Sequence, residues 1–528
     1  MSIRVLFSAT DKMRKTMERI VIIGGGPAGL TAAKEAAQRK NAEVVLLEQT
    51  SEFGGISRTV KTDGNRMDIG GHRFFSKDSD IAKMWTNVLP LQGEKSYDDK
   101  LLGRDCKVVP DGPDPEKTDD VMLIRHRVSR IYYKNCFFDY PVSMKWATIK
   151  NMGFFTTVRA GLSYLKSCVF KKKEDSLENF YINRFGKVLY EMFFKGYTAK
   201  LWGREPKEIS AEWGAQRVKG LSVRALLKDM FSKVFKRKNR EVETSLIEEF
   251  YYPKLGPGQL WEKVAKIAED DGCKIIKNAK VTSFERDGNK IIAVHYEKDG
   301  KSERLAGDNF ISSMSIKDLI AGLDCPTEVK EVAAGLPYRD FVTIGLLLDR
   351  LKLKNNTKIK TLGGIVPDCW IYVQDTSVKL GRIQIFNNWS PYMVKDAQNT
   401  VWLGLEYFCD EGDEFWNLSE EDTVKIAVDE LIKVGIIDKS ANVLQTHREK
   451  VQKAYPAYFD SYANFEVVKN HLNSIENLYC VGRNGQHRYN NMDHSMLTAY
   501  KVVNEINGLG KKGEEWEVNT EKAYHESK

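Results

Sequence analysis

A glycine-rich motif near the start of the chain has the spacing of a dinucleotide-binding site. The string IVIIGGGPAGLTAAKEAA places Gly24, Gly26 and Gly29 after an apolar run and at the start of a helical pattern. Gly24 permits a tight turn, Gly26 lets the backbone approach a pyrophosphate, and Gly29 allows close packing of helix on strand. Glu48 ends the next apolar run, where a carboxylate can bind a ribose diol. The motif therefore predicts a Rossmann-type site with the pyrophosphate on a helix N-terminus.

Two further glycine pairs extend this predicted site. The first lies in EQTSEFGGISRT, a string that resembles the flavin-binding signature of the amine oxidase superfamily. The resemblance implies that Gly55 and Ser57 bind FAD and that Arg58 faces its pyrophosphate. The second pair, Gly70 and Gly71, lies in MDIGGHRFF and suits a backbone packed against a flavin ring, because glycine has no side chain. We therefore expect FAD as the cofactor.

A longer resemblance narrows the function. The string LYEMFFKGYTAKLWG, at Leu189–Gly203, closely resembles a substrate-site segment of UDP-galactopyranose mutases. SLENFYINRFGK, GGHRFF, AYPAYFDSY and VGRNGQHRYNNMDHSM are similar to other segments of that family. The chain is thereby identified as a UDP-galactopyranose mutase-like member of the FAD-dependent amine oxidase and protoporphyrinogen oxidase superfamily. It departs from the mutases at Phe75, where they have a second histidine, at His487, where they have an aromatic hydroxyl, and at Asn491, where they have an aspartate.

The resemblance implies a role for individual residues. Phe194 and Tyr197 would stack on uracil, and Trp202 would form a wall of the sugar pocket. The implied catalytic set is His72, Trp202, Arg217, Arg339, Tyr455 and Tyr489. The implied cofactor contacts are Gly24, Gly26, Gly29, Glu48, Gly55, Ser57, Arg58, Gly70, Gly71, Val281, Gly482, Arg483 and Met492. Guanidinium forks and phenol donors suit a diphosphate, and flat aromatic faces suit a base. The alternative for each aromatic residue, and for His72 taken alone, is a place in the core.

Three functions follow from these patterns. The first is a mutase-like isomerase acting on a nucleotide-diphosphate sugar, in which reduced FAD attacks the anomeric carbon, UDP leaves, and the sugar ring opens and recloses. NAD(P)H is a candidate reductant. The second is an FAD-dependent oxidase or desaturase of the protoporphyrinogen oxidase and amine oxidase kind, which the nucleotide-binding strings fit equally well. The third is a non-catalytic flavoprotein. The string LYEMFFKGYTAKLWG favours the first.

The apolar patterns predict a chain that leaves the nucleotide domain and returns to it. We expect a Rossmann-like α/β FAD-binding domain of the two-dinucleotide-fold type, a mostly helical inserted domain, and a substrate domain built on an antiparallel sheet. The predicted segments are an N-terminal extension (1–16), the FAD-binding domain in three parts (17–90, 248–334 and 471–510), the helical insert (91–247), the substrate domain (335–470) and a tail (511–528).

Composition limits the remaining possibilities. The 528 residues carry a formal net charge of +8, which fits an anionic ligand and gives no indication of nucleic-acid binding. The eight cysteines include no C-x-x-C pair, so a zinc site is unsupported, no metal is expected, and reduced thiols in a cytoplasmic protein are the simpler interpretation. The longest apolar runs are strand-sized, far below the roughly 18 residues of a membrane span.

One basic segment carries a prediction about membranes. In 221–238, LSVRALLKDMFSKVFKRK, apolar residues recur at helical spacing among lysines and arginines. Weak association with the inner face of a membrane is one expectation for it. An ordinary amphipathic helix packed in the substrate domain is the favoured alternative. No oligomeric state is predicted.

Overall fold

The structure is a computed structural model that describes residues 17–140, 146–211 and 249–520. Its strands, in chain order, are β1 (Glu18–Ile23), β2 (Ala42–Leu47), β3 (Thr59–Thr62), β4 (Asn65–Asp68), β5 (Met122–His126), β6 (Ser129–Tyr133), β7 (Cys136–Asp139), β8 (Glu249–Pro253), β9 (Lys274–Ile276), β10 (Lys280–Asp287), β11 (Lys290–Lys298), β12 (Lys301–Ala306), β13 (Asn309–Ser312), β14 (Tyr338–Leu348), β15 (Trp370–Val373), β16 (Arg382–Ile385), β17 (Val401–Cys409), β18 (Val443–Pro456) and β19 (Leu478–Cys480).

The helices lie between these strands. They are Pro27–Arg39, Ser79–Val88, Tyr97–Leu102, Trp146–Met152, Phe154–Val169, Leu177–Tyr190, Gly196–Trp202, Pro257–Asp270, Ile316–Ala321, Thr327–Ala334, Phe386–Trp389, Glu414–Asn417, Glu420–Lys433, Phe465–Ser474, Gly482–Gly485 and Met492–Ile506. Within the described part of the chain, no helix has the length and apolar character needed to cross a membrane.

A five-stranded parallel sheet forms the centre of the nucleotide domain. Its order is β19-β13-β1-β2-β9, so strands from three distant parts of the sequence meet in one sheet. Successive side chains of β1 point to opposite faces. Ile20 and Ile22 pack under the helix Pro27–Arg39, whereas Val21 and Ile23 enter a second core with β10 and β11. A strand buried on both faces is expected to be continuously apolar, as IVII is.

A seven-stranded mixed sheet forms the second half of the molecule. Its order is β18-β14-β17-β16-β15-β6-β7, antiparallel except where β15 runs parallel to β6. Phe341 and Val451 on one face pack against the helices of the insert, and Val342 and Ile344 on the other pack near the helix Glu420–Lys433. The prediction of an antiparallel sheet is confirmed in type. β6 and β7, which lie within the predicted insert 91–247, complete this sheet, and the predicted domain boundaries stay predictions.

The helical insert carries the mutase-like string. The helix Leu177–Tyr190 is kinked at Gly186, whose φ of 79° lies in the region that favours glycine. One π-helical turn, Glu191–Lys195, joins it to the helix Gly196–Trp202. Arg217 and the predicted membrane segment 221–238 lie outside the described residues.

Candidate active site

The turn after β1 has the geometry that its glycines predict. Gly24 has a φ of 101°, and its N–H donates to the Leu47 carbonyl at 2.8 Å. A Cβ on Gly29 would lie 1.8 Å from the Gly24 carbonyl oxygen, so only glycine permits this contact of helix and turn. Gly26 precedes Pro27 at the first position of the helix Pro27–Arg39. The unsatisfied N–H groups of that helix N-terminus are therefore available to an anion.

Two glycines face each other at this helix N-terminus. A Cβ on Gly26 would have as its nearest neighbour the Gly55 Cα at 3.9 Å, and a Cβ on Gly55 would lie 3.4 Å from the Gly26 Cα. No side chain from either position covers the N-terminus of the helix. Glu48 is buried at the end of β2, where its carboxylate accepts hydrogen bonds from the Gly25 N–H at 2.6 Å and from Thr50. This bare backbone beside a fixed carboxylate fits the pyrophosphate and ribose of a dinucleotide.

Arg58 belongs to an ion-pair network next to this turn. Its guanidinium lies 3.2 Å from Glu52 and 3.0 Å from Glu449 of β18, and Glu449 in turn contacts His447 at 2.8 Å. Arg58 is thus held beside Gly55, whose carbonyl it also contacts at 3.3 Å. Its predicted role toward a pyrophosphate stays a prediction.

The other predicted cofactor residues lie around the same sheet. Ser57 is buried in a short turn after Gly55, and Val281 is buried in β10. A Cβ on Gly482 would lie 3.0 Å from the Ala28 Cβ, so the turn after β19 reaches the first helix. Met492 begins the helix Met492–Ile506 and is largely buried.

The glycine pair after β4 lies beneath an indole. A Cβ on Gly71 would lie 1.9 Å from a ring carbon of Trp370, so the Trp370 indole covers this backbone directly. A Cβ on Gly70 would lie 3.3 Å from the imidazole of His72 and 3.9 Å from Glu406 Oε1. These contacts place Gly70, Gly71 and His72 above the seven-stranded sheet, at its junction with the nucleotide domain.

A row of polar side chains crosses that sheet directly below the glycine pair. Arg382 of β16 pairs in register with Glu406 of β17, Glu406 with Thr343 of β14, and Thr343 with Glu449 of β18. The Thr343 hydroxyl donates to the Ile69 carbonyl at 2.9 Å, which attaches the segment before Gly70 to the row. The row ends at Arg58, the partner of Glu449, so it connects the two predicted ends of the cofactor site.

Arg382 occupies the centre of an aromatic enclosure. The rings of Tyr197, Trp370, Tyr372, Phe408 and Tyr455 all have their centroids within 6.0 Å of its guanidinium carbon. Its Nε donates to the Tyr197 hydroxyl, and its Nη1 donates to the Tyr455 hydroxyl at 2.9 Å and to Glu406 Oε2 at 3.0 Å. Arg382 is not among the residues predicted from the sequence, although its buried guanidinium joins Tyr197 and Tyr455, which are.

Burial sets the protonation of this cluster. The pKa of Glu406 is raised by desolvation, an effect that the Arg382 charge only partly offsets. Its Oε1 has no hydrogen-bond partner among the described residues. Desolvation also raises the pKa of the Tyr197 and Tyr455 hydroxyls, so both phenols stay protonated at neutral pH.

A second cation completes the site. The Arg483 guanidinium lies 4.5 Å from the centre of the Tyr489 ring, and Tyr489 stacks on Tyr455 with ring centroids 5.8 Å apart. Desolvation, together with the charge of Arg483, lowers the pKa of His72 to about 4. His72 is therefore a neutral imidazole at physiological pH, and its Nδ1 has no hydrogen-bond partner within the described ranges.

A family model, a relative and a solved structure are similar to this chain. A family model described as a NAD(P)-binding Rossmann-like domain matches residues 22–88. A protein from Klebsiella pneumoniae described as "Probable UDP-galactopyranose mutase" is 25% identical over 197 residues, 37% of this chain and 43% of that relative, so the chain spans less than half of its length. The crystal structure of reduced UDP-galactopyranose mutase superposes with a TM-score of 0.74 at 19% identity, covering 96% of this chain and 100% of the other. The chain has the fold of the UDP-galactopyranose mutases.

The chain is also similar in fold to a solved structure from the protoporphyrinogen oxidase group, to which the sequence resemblance extends. A candidate protoporphyrinogen oxidase from Exiguobacterium sp. 255-15 superposes with a TM-score of 0.64 at 14% identity, covering 93% of this chain and 98% of the other. The predicted resemblance and the predicted fold class are therefore confirmed. Because both solved structures are below 25% identity, the likeness to them concerns the fold.

Within this mutase fold, three predicted site residues are packed against neighbouring side chains, and their predicted roles stay predictions. Arg339 donates from Nε to the Leu201 carbonyl at 2.9 Å and lies 2.6 Å from Asp410, so it caps the helix Gly196–Trp202. Trp202 is 3% exposed and meets the edge of Phe459. Phe194 stacks on Tyr181 and Phe185, each with centroids 4.6 Å apart. The contacts of these residues are those of core and capping side chains.

The structure also shows the surroundings of the three residues at which the chain departs from the mutases. His487 is fully buried, its Nε2 lies 3.1 Å from the Ala457 carbonyl, and desolvation lowers its pKa to about 4. Asn491 caps the helix Met492–Ile506 in a capping box with His494. Phe75 is exposed. Across the described segments, no group of three or more His, Cys, Asp or Glu side chains could hold a metal ion.

Proposed function

We propose that the chain is an FAD-dependent enzyme that isomerises the sugar ring of a nucleotide-diphosphate sugar. The observation that carries the proposal is the Arg382 guanidinium, buried among aromatic rings and hydrogen-bonded to Tyr197 and Tyr455. A departing diphosphate develops negative charge, and fixed donors in a site with little water stabilise such charge strongly. An apolar substrate would have no use for this arrangement.

The hydrogen bonds leave donors available for a phosphate. Each phenol accepts a bond from Arg382 and so keeps its own O–H to donate. The bonds of Arg382 use Nε and Nη1, and within the described residues Nη2 makes none. Two phenol O–H groups and one guanidinium edge can therefore converge on phosphate oxygens. Arg483, over the Tyr489 ring, supplies a second positive charge on the cofactor side.

FAD fits the residues at the other end of the row. Gly26, Gly55 and Glu48 would hold its pyrophosphate and ribose. The segment of Gly70 and Gly71 would face its ring on the side that the Trp370 indole does not cover. When bound in its reduced form, FAD would supply the nucleophile for the anomeric carbon. His72 would contribute a neutral imidazole that donates or accepts a hydrogen bond at Nδ1, since its lowered pKa keeps it uncharged.

One observation favours a redox reaction instead. Arg339, which the resemblance assigns to the diphosphate, is already bonded to Leu201 and Asp410, so the site has one cation fewer for a nucleotide. An oxidase or desaturase of the amine oxidase kind would tolerate that loss. Such an enzyme consumes its electron acceptor in proportion to product, whereas an isomerase consumes none.

The experiment is a redox balance under anaerobic conditions. Purified protein is reduced with dithionite and incubated with UDP-galactose or UDP-glucose, and the sugar nucleotides are then separated by chromatography. We expect a ring isomer to accumulate over many turnovers while the flavin spectrum stays reduced. No isomer with either sugar while the flavin stays reduced would contradict the isomerase. Consumption of an added acceptor in proportion to product, in a parallel assay without dithionite, would favour the oxidase.

A further inference from the structure

The helix Phe154–Val169 presents an apolar stripe to solvent. Its exposed side chains recur three or four residues apart, which places them on one face. They are Phe154 (72% exposed), Val158 (44%), Leu162 (62%), Leu165 (60%) and Val169 (74%), flanked by Phe155 (82%) and Phe170 (70%). A contiguous apolar face of this kind on a folded protein marks an interaction surface. We call it the docking helix.

The opposite face of the docking helix is firmly packed. Ala160 and Ser167 are buried, and a Cβ on Gly186 of the neighbouring helix would lie 2.7 Å from the Tyr164 nitrogen, so the two backbones are in close contact. Ser163 also accepts a hydrogen bond from the Val188 N–H. The stripe therefore points outward because the packed face fixes the rotation of the helix.

The charge around the stripe is predominantly positive. Residues 146–173 contain six basic residues and no acidic residue: Lys150, Arg159, Lys166, Lys171, Lys172 and Lys173. Arg159 and Lys166 lie on the exposed surface of the docking helix, and the three consecutive lysines follow its last turn. Apolar side chains between basic ones are the pattern of helices that lie in the headgroup region of a bilayer.

We propose that the docking helix binds the surface of a membrane containing anionic lipids, lying in the plane of the interface. The apolar stripe would enter the acyl boundary, and the lysines would contact lipid phosphates. This surface is separate from the segment 221–238 and does not depend on the proposed reaction.

A second copy of the chain is a poorer occupant. A two-fold interface through this stripe would bring Arg159 and Lys166 of one copy toward the same residues of the other, since both partners of such an interface use one patch. No acidic residue lies in 146–173, and the adjacent Glu174 is already paired with Arg184, so the patch offers little to neutralise them. Anionic lipid complements both the charge and the apolar stripe.

Docking would orient the candidate active site. The neighbouring helix Leu177–Tyr190 contributes Tyr181 and Phe185, which stack on Phe194 three residues before Tyr197. The membrane-facing surface and the Arg382 enclosure are thus joined through one helical unit.

Co-flotation with lipid vesicles tests the proposal. The full-length protein is mixed with phosphatidylcholine vesicles, or with vesicles that also contain phosphatidylglycerol, at low and high salt. We expect binding only with phosphatidylglycerol, reduced at high salt. Phe155→Asp with Leu162→Asp should abolish binding, and Lys172→Glu with Lys173→Glu should weaken it by about tenfold or more, because each basic residue near anionic lipid contributes on the order of a few-fold.

The control is a matched pair of substitutions on exposed apolar residues elsewhere, Leu444→Asp and Leu509→Asp, which should leave flotation unchanged. Thermal unfolding checks that all variants are folded, and light scattering reports the oligomeric state. The proposal is overturned if wild type fails to float with phosphatidylglycerol vesicles, or if the docking-helix variants float like the control. It is equally overturned if those variants convert a dimer to a monomer without affecting lipid binding.

Discussion

The Arg382 guanidinium donates a hydrogen bond to the Tyr455 hydroxyl at 2.9 Å, across two intervening strands of the seven-stranded sheet. Arg382 lies on β16 and Tyr455 on β18, so the long arginine side chain crosses the sheet face above Glu406 of β17. A buried arginine that joins a carboxylate to two phenols holds the site in one arrangement before any ligand enters. Such preorganisation is what stabilises developing charge efficiently.

The first prediction concerns this arginine. Arg382→Lys should weaken UDP binding by about tenfold to a hundredfold, because a lysine ammonium cannot bridge Tyr197 and Tyr455 with a planar fork. The amount of FAD bound per chain should stay unchanged, since Arg382 belongs to the substrate side of the site. Isothermal titration with UDP and the flavin absorbance measure the two quantities.

Arg130→Lys is the matched control for that prediction. Arg130 lies in the same sheet and makes a bidentate contact with the buried Asp368, away from the enclosure. Its replacement should lower thermal stability and leave UDP affinity unchanged. Equal loss of UDP affinity in both variants would show that the effect is a general weakening of the sheet.

The nucleotide domain could be predicted in detail from the sequence. The apolar run predicted before Gly24 is observed as the strand Glu18–Ile23, and the helical pattern predicted to begin at the glycine motif is observed as the helix Pro27–Arg39. These elements are determined by residues that are adjacent in the sequence, and the spacing of their glycines is typical of a dinucleotide-binding turn. The strand at Val443–Pro456 was not predicted, because its exposed first half is polar and carries no apolar alternation.

The Arg382 row could not be predicted in the same way. Its members lie on four strands, and only the register of the sheet brings Arg382, Glu406 and Glu449 together. Register depends on long-range packing that a single sequence does not display. One signal was present: Glu406 lies inside the apolar run VWLGLEYFC, where a buried carboxylate needs a partner.

The second prediction separates cofactor binding from folding at the glycine motif. Gly26→Ala should fold normally, because Gly26 has a φ of −82° and a Cβ there would be 3.9 Å from its nearest neighbour. Its methyl group would nevertheless stand in front of the helix N-terminus, so FAD affinity should fall by at least about tenfold. Flavin content after purification and titration of the apoprotein with FAD measure the effect.

Gly29→Ala provides the contrast. Its Cβ would lie 1.8 Å from the Gly24 carbonyl oxygen, so this variant should lose thermal stability as well as flavin. Full FAD occupancy in Gly26→Ala would contradict the placement of the pyrophosphate.

The third prediction distinguishes two roles of Arg339. If Arg339 caps the helix Gly196–Trp202, Arg339→Met leaves the carbonyls of Lys200 and Leu201 and the Asp410 carboxylate without their charged donor. The cost is about 2 to 3 kcal/mol, because hydrogen bonds to charged groups in a buried place are the strong ones. The thermal midpoint should therefore fall by a few degrees. A large loss of UDP affinity at unchanged stability would instead assign Arg339 to the diphosphate.

The last prediction uses the buried carboxyl of Asp68, which lies between Thr59 and Tyr252 with no solvent exposure. Desolvation raises its pKa from about 3.8 to about 8, although both hydrogen bonds oppose the shift. The folded state therefore holds a proton that the unfolded chain releases above pH 4, and stability falls as pH rises from that range toward 8, by about 1.4 kcal/mol per pH unit. Asp68→Asn removes this titration while keeping a donor and an acceptor in place. The variant should match wild type in thermal midpoint near pH 4 and exceed it progressively up to pH 8.

Asp299→Asn, in the exposed turn between β11 and β12, is the control that should follow wild type at every pH. A midpoint difference between Asp68→Asn and wild type that does not change with pH would mean that Asp68 is charged in the folded protein.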